Sequence, residues 1–377
     1  VSGDILEMLE DSVTAFVRSD PERARRHRGC HPSYDPVAWK EIAEQGWLSI
    51  LVPEEAGGLG LGIKPLTVVA RAFGRAALPE PLVAAGTAPV ICLAGAQGDV
   101  WRDRLQAVMA GELIASLAWQ GPAGSADIEE GAVKASGGDA FTLDGVARFA
   151  APSSAHAFIV YAAGSEPGLY WVSRAAPGLQ IDAEECADGS SLARLSLTGV
   201  SVDRADRVAG GAEAKKMVRD AIDVALLANA AELLGVMDGA FDLTLEYLRT
   251  RQQFGVAIGS YQALQHRAVD IWIQKQLTEE AVNEAASIFD DPALVSRRSA
   301  AAAGAKARAA REAVALCNQA LQMHGAIGFA DEYGLGILLN RAITLAAWQG
   351  NGAQHCARFG ALSPLDVRSS GTLERAV

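Results

Sequence analysis

Five cysteines in 377 residues, at positions 30, 92, 186, 317 and 356, form no Cys-x-x-Cys pair and are odd in number. That excludes a disulfide framework and reads as reduced thiols in a cytoplasmic protein. Histidine is equally scarce. The six present make no His-x-His or His-Glu-x-x-His spacing, and only Cys30-His31 and His355-Cys356 set the two ligand types side by side, so no metal centre is expected. Positive charge is in deficit, 33 Lys and Arg against 45 Asp and Glu for a net charge of -12. This argues against nucleic acid or an anionic membrane as partner. Half the residues are apolar, yet no uncharged run reaches the ~20 residues of a membrane span. The opening VSGDILEMLEDS is acidic where a secretory signal is positive. Internal repeats are lacking, and the glycines at 57, 58 and 60 are not followed by the Lys-Ser/Thr of a phosphate-binding loop. The chain is also longer than one core usually serves, so two or three domains are expected.

Helical periodicity dominates what is there. Residues 213–248 contain no proline, and Met217, Val218, Ala221, Ala225 and Ala228 recur three and four apart. From 226 to 240 apolar residues spread round most of the circumference, which predicts a helix covered on nearly every side and an oligomer built on it. The pattern breaks at Gly255 and Gly259 and resumes over 261–277. Arg251 and Phe254 lie in the break, and Gln262, Gln265 and His266 follow it. A guanidinium fork beside an aromatic face suits a phosphate-bearing ligand; a surface Arg and a core Phe is the plainer alternative.

Taken in order, residues 4–18 read as an amphipathic helix and 36–46 as a short one. The basic run at 23–28 reads as a solvated face. Residues 64–77 and 82–110 are helical, which makes 1–112 an all-helical N-terminal domain. From 113 the period becomes alternating. Strands are expected over 141–146, ending in an Asp144-Gly145 turn, and over 157–162, 169–173 and 195–202. Residues 113–207 therefore read as a small β-domain, sandwich or barrel. An alanine-rich helix of about 30 residues is expected from Pro292, since alanine has the best propensity and permits close packing. Helices over 333–348 and 353–362 complete a C-terminal bundle spanning 208–362, and 363–377 reads as a loose tail.

Four stretches together resemble the acyl-CoA dehydrogenase family: RTRQQFGVAIGSYQALQHRAVD (249–270), WLSILVPEEAGGLG (47–60), QMHGAIGF (322–329) and WQGNGAQHCARF (348–359). Their order is the family's, the likeness covers essentially the whole chain, and the pattern looks nearest to the small-subunit type of pimeloyl-CoA dehydrogenase. The resemblance implies a helical N-terminal domain, a small middle β-domain and a C-terminal four-helix bundle. It also implies FAD as cofactor, an acyl-CoA as substrate and electron-transfer flavoprotein as electron acceptor in an active member. Arg251 and Phe254 would hold the pyrophosphate and adenine side of FAD, together with Gln322, Gly325 and Ala326, across a subunit boundary. Asn351 would meet the same cofactor, and Gly124, Ser125 and Ser153 would stand at the flavin ring.

The departures are as specific as the likeness. Trp119 and Gln120 stand where the family has Thr-Glu, and Pro152 and Ser153 where it has Thr-Asn; proline brings no N–H. The family's base is a Glu whose position here is Gln349, and the minority position on the long helix is Ala225. A carboxamide cannot accept the α proton at neutral pH. Asp223 and Glu232 are the nearest carboxylate candidates. The resemblance then leaves several readings open: an active FAD-dependent dehydrogenase with an unassigned base, as a homodimer or homotetramer; a non-catalytic subunit lending FAD contacts to a Glu-bearing paralogue in a heterotetramer; a lyase or desulfinase on the same fold; or an acyl-CoA-binding relic.

Overall fold

The computed structural model describes residues 3–128, 132–138 and 140–363; the expected tail at 363–377 lies, beyond Ser363, outside the described residues. Seven helices come first: α1 (Gly3–Ser19), α2 (Arg23–His27), α3 (Pro36–Glu44), α4 (Ile63–Arg75), α5 (Leu82–Ala85), α6 (Ala88–Ala94) and α7 (Asp99–Met109). Phe16 of α1, Trp47 and Phe73 of α4 form their aromatic centre, with ring centroids 5.3 to 6.1 Å apart. The basic run is committed to local pairs: Arg26 to Asp20, Arg25 to Glu22, and Arg23 over the Phe16 ring.

Eight strands follow: β1 (Ala115–Ala118), β2 (Val133–Ser136), β3 (Phe141–Ala150), β4 (Ala157–Gly164), β5 (Gly168–Ser173), β6 (Leu179–Glu185), β7 (Ser191–Val202) and β8 (Arg207–Gly210). They join in one mixed sheet of order β6-β7-β3-β2-β4-β5-β8, with β1 beside β4. β1 and β2 run parallel to β4, and the other pairs are antiparallel. The expected turn at Asp144-Gly145 does not form. β3 runs straight through it with a register shift, because Gly145 at φ 133° lets Ala132 O approach to 2.2 Å of where a Cβ would stand. Asp144 Oδ1 instead accepts the Gly199 amide at 2.7 Å.

The C-terminal part comprises α8 (Gly211–Thr250), a hairpin of β9 (Gln252–Gln253) and β10 (Val256–Ala257), then α9 (Gln262–Asp290), α10 (Arg298–His324), α11 (Leu335–Ala347) and α12 (Gly352–Leu362). The helix expected from Pro292 starts six residues later. Residues Pro292–Arg297 form a 3-10 turn with Leu294 outside helical geometry, the Asp291 carboxylate accepting the Ala293 amide in front of Pro292. α8 is long and apolar enough by composition to cross a bilayer, but 94% of its most apolar window is buried within the protein. α4 reaches it most closely at Gly74 and Gly235, where an added Cβ would lie 1.8 Å from Glu232 O and Arg71 O respectively.

One buried acid belongs to neither a helix cap nor an ion pair of hydrogen-bonding length. Glu80 is 1% exposed, neither carboxylate oxygen has a hydrogen-bond partner among the described residues, and Arg23 Nε stands 3.9 Å away. Desolvation pushes its carboxyl up to about 7. The folded chain therefore binds this proton more readily than the unfolded one, and stability falls as pH rises from the ordinary carboxylate range through 7. Urea unfolding of Glu80→Gln is expected to match wild type at pH 5 and to exceed it at pH 8, by on the order of 3 kcal/mol; equal stability at both pH values would refute this.

Candidate cofactor site

Two regions bear on a ligand. The first is the outer edge at the end of α8. The Arg251 amide caps that helix on Tyr247 O (2.9 Å), and the guanidinium is exposed with no ion-pair partner among the described residues. Phe254 and Gly255 form the two-residue turn of the β9–β10 hairpin at φ 54° and 83°. Both central residues at positive φ define the type I′ turn that matches strand twist. A phenylalanine held there costs about 1–3 kcal/mol and leaves its ring 93% exposed. Gln322, Gly325 and Ala326 are exposed at the end of α10, where Gly325 adopts φ 65° with open space around its absent Cβ. The His324 ring stacks on Tyr247 with centroids 4.6 Å apart, so the structure brings the two expected contact groups to one end of the bundle. Free donors, an open glycine turn and a bare aromatic face fit a dinucleotide's pyrophosphate and adenine.

The second region lies where the sheet meets the α11–α12 turn, and here the polar groups are engaged within the chain. Gln120 Nε2 donates to Ser125 O (2.7 Å), and the Arg148 amide donates to Gln120 O (2.9 Å), closing the two expected ring-side segments on each other. Ser153 Oγ is bonded to Ser191 Oγ at 2.6 Å and is buried. Asn351 Oδ1 caps α12 on the amides of Ala353 and Gln354, both at 3.0 Å. Trp348 Nε1 donates to Phe149 O (3.2 Å), Gln354 Nε2 to Gly124 O (3.2 Å), and a Cβ on Gly350 would stand 2.8 Å from the Ala126 methyl. Beside these segments a small cavity of about 50 Å³ remains among Pro152, Ser191, Glu232, Arg341 and Trp348, room for a few waters at about 10–15 Å³ each.

The base positions are legible in atomic terms. Ala225 is fully buried and carries no polar group. Gln349 is 5% exposed at φ 63°, its carbonyl accepting from His355 Nε2 at 2.9 Å and its Oε1 without a partner among the described residues. Burial, with Lys306 nearby, drives the His355 pKa down to about 3, so the ring is neutral. Asp223 accepts from Arg358 Nη2 at 2.8 Å and from Ser299. Glu232 accepts from Arg341 Nε at 2.9 Å and also from Nη2, while Arg341 Nη1 donates to Asp188 at 2.8 Å. Desolvation raises the pKa of Asp223 and of Glu232 against these cations.

Sequence reasoning missed Lys306 and Arg358. Lys306 is fully buried, donates to Asn229 Oδ1 at 2.8 Å and to Leu345 O, and is pushed down to about 7 by burial. Its spacing was the available signal: it shares the face of Ala302, Ala309 and Ala313, all buried.

The fold with this paired geometry is the acyl-CoA dehydrogenase fold. The family description "Acyl-CoA dehydrogenase, N-terminal domain" matches residues 4–97 and "Acyl-CoA dehydrogenase, C-terminal domain" matches 216–361. The chain is similar to acyl-CoA dehydrogenase FadE27 of Mycobacterium tuberculosis, 29% identical over 78% of this chain and 76% of that protein. It is also similar to acyl-CoA dehydrogenase IpdE2 of Mycolicibacterium smegmatis, 26% identical over 89% and 91%. Among solved structures, one described as the Tcur3481-Tcur3483 steroid ACAD is 27% identical with a TM-score of 0.84, covering 96% of this chain and 98% of that one. Glutaryl-CoA dehydrogenase from Mycobacterium smegmatis, 19% identical at a TM-score of 0.87 over 96% and 95%, shares the fold. The chain belongs to the acyl-CoA dehydrogenase superfamily, whose cofactor is FAD and whose chemistry is acyl-CoA desaturation.

Arg341→Met would leave Glu232 and Asp188 as buried carboxylates without their cation, which typically costs about 3–5 kcal/mol. Equilibrium urea unfolding is the check, with Arg341→Met/Glu232→Leu expected to recover part of the loss. A single variant within 1 kcal/mol of wild type would contradict the assignment of this network as desolvated.

Proposed function

We propose that the chain works in an FAD-dependent acyl-CoA dehydrogenase as its non-catalytic subunit. In this reading it lends Arg251, Phe254, Gln322 and the Gly325-Ala326 turn to the FAD of a Glu-bearing partner, which supplies the base and holds the ring. The observation that carries it is the contrast between the two halves of the cofactor site within one chain. The outer edge is exposed and free, whereas the ring side is closed by its own hydrogen bonds. FAD supplies the redox step when bound; what this chain contributes is charge-assisted binding of the pyrophosphate. Asp223 and Glu232 are each held by a guanidinium, so a base at either position would have to give up its ion pair. A groove of about 1240 Å³ between α9, α10, α11 and α12, lined by Gly304, Val314, Ile343 and Cys356 among others, gives a second subunit an apolar face to cover. The paired name of the similar Tcur3481-Tcur3483 structure is in keeping with a two-chain enzyme. The acyl-CoA is then bound by the partner, electron-transfer flavoprotein takes the electrons, and a small-subunit role of the pimeloyl-CoA dehydrogenase kind accords with this division of labour.

The alternative, an active dehydrogenase with its own base, would need one of these carboxylates released from its ion pair and the ring side opened. Two variants separate the readings. In the assembled enzyme Arg251→Ala is expected to weaken FAD retention at least tenfold, the loss of one charge-assisted pair. Gln349→Glu is expected to leave turnover unchanged. A severalfold gain in turnover from Gln349→Glu, or full FAD retention by Arg251→Ala, would overturn the proposal.

A further inference from the structure

Beside the outer edge lies a ring cluster, centred on a buried histidine between two half-buried tyrosines, to which the cofactor contacts themselves give no role. His324 is the last residue of α10 and is 4% exposed. Its Nδ1 lies 2.7 Å from Ala320 O and its Nε2 lies 3.1 Å from the Tyr333 hydroxyl. A carbonyl can only accept, so Nδ1 carries a proton, and in the neutral ring Nε2 accepts from the Tyr333 O–H, with the Leu243 carbonyl also against the ring. Burial holds the ring neutral by lowering its pKa. The imidazole stacks on Tyr247 at an interplanar angle of 21°, and Tyr333 meets both rings edge-on, 5.0 Å from His324 and 6.1 Å from Tyr247.

Two members of the cluster connect to different parts of the edge. Tyr247 O receives the Arg251 amide, and His324 is followed directly by Gly325 at φ 65°. The stack therefore ties the end of α8, which carries the guanidinium, to the end of α10, which carries the open glycine turn. One hydroxyl, from the 3-10 turn Asp331–Tyr333, sets the imidazole's tilt between them.

We propose that Tyr333, acting through the His324 ring, is a positioning residue that aligns Arg251 with the Gly325 turn so that both meet one pyrophosphate. This rests on the reading of the outer edge as a donor of FAD contacts. Tyr333 touches no cofactor in this account; it fixes the spacing of groups that do.

The test uses the complex of this chain with its Glu-bearing partner, titrated with FAD and followed by flavin fluorescence. Tyr333→Phe removes the hydroxyl and keeps the ring. It is expected to weaken FAD binding three- to tenfold, about the worth of one hydrogen bond, with the complex still folded and its thermal midpoint lowered by no more than a few degrees. In an Arg251→Ala background it is expected to cause no further loss, because residues acting as one unit are not additive. His324→Gln should reproduce the same pattern. If Arg251→Ala releases FAD but Tyr333→Phe binds as wild type, or if the two losses multiply independently, the positioning role is refuted while the donor reading stands. If Arg251→Ala retains FAD fully, the donor reading fails and this proposal fails with it.

Discussion

From Ala221 to Phe241, α8 is buried at every residue except the half-buried Val224. A helix covered on all sides cannot leave its polar groups to water, so each must find a partner on a neighbouring helix. Five polar side chains in or beside this stretch do so through cations. Asp223 takes Arg358 of α12, Asn229 takes Lys306 of α10, and Glu232 takes Arg341 of α11. Asp238 takes Arg71 of α4 and Lys275 of α9, and Asp242 takes Arg75 of α4. At Asp223, Glu232 and Asp238 the carboxylates are buried and losing a cation would strand charge in a low-dielectric interior, whereas the Asp242–Arg75 pair is exposed; the buried contacts specify where the surrounding helices lie along α8. The glycines at 74 and 235 then let α4 close to backbone contact.

This constraint reaches the cofactor site. Arg341 and Arg358 lie on either side of the Trp348–Asn351 turn, and both are committed to α8 and to neighbouring acids. Their anchoring holds the turn against the sheet, where Trp348 and Gln354 bond the backbone of Phe149 and Gly124. Asp223 and Glu232, the carboxylates that sequence alone offers as bases, are each held by a guanidinium, and the ring-side segments are tied to the turn by contacts that also hold the bundle. The outer edge escapes because Arg251, Phe254 and Gly325 lie past the ends of α8 and α10, where helix packing no longer dictates side-chain partners.

The architecture was largely legible in the sequence because long helices announce themselves. Unbroken periodicity placed α8 to within two residues at each end, and alanine spacing found α10 once the 3-10 turn at Pro292 is allowed for. Short strands were harder. β1 and β8 are four residues long without apolar alternation; β2 and β6 alternate, but β2 is only four residues long and no residue of β6 is buried, and Asp144-Gly145 mimics a turn while forming a bulge. Of the site, the sequence alone offers the motif residues and shows no carboxylate at Gln349 and Ala225. It does not offer the ion pairs, since Glu232 meets Arg341 across 109 residues and Asp223 meets Arg358 across 135. No local pattern encodes a pairing at that range.

Flavin stoichiometry tests the central claim most directly, measured on the chain purified alone and again in complex with a Glu-bearing acyl-CoA dehydrogenase subunit. A shut ring side and a free outer edge predict no tightly bound FAD in the chain alone and one FAD per pair of unlike chains in the complex. One FAD per chain in the isolated protein, bleached on adding an acyl-CoA, would contradict it.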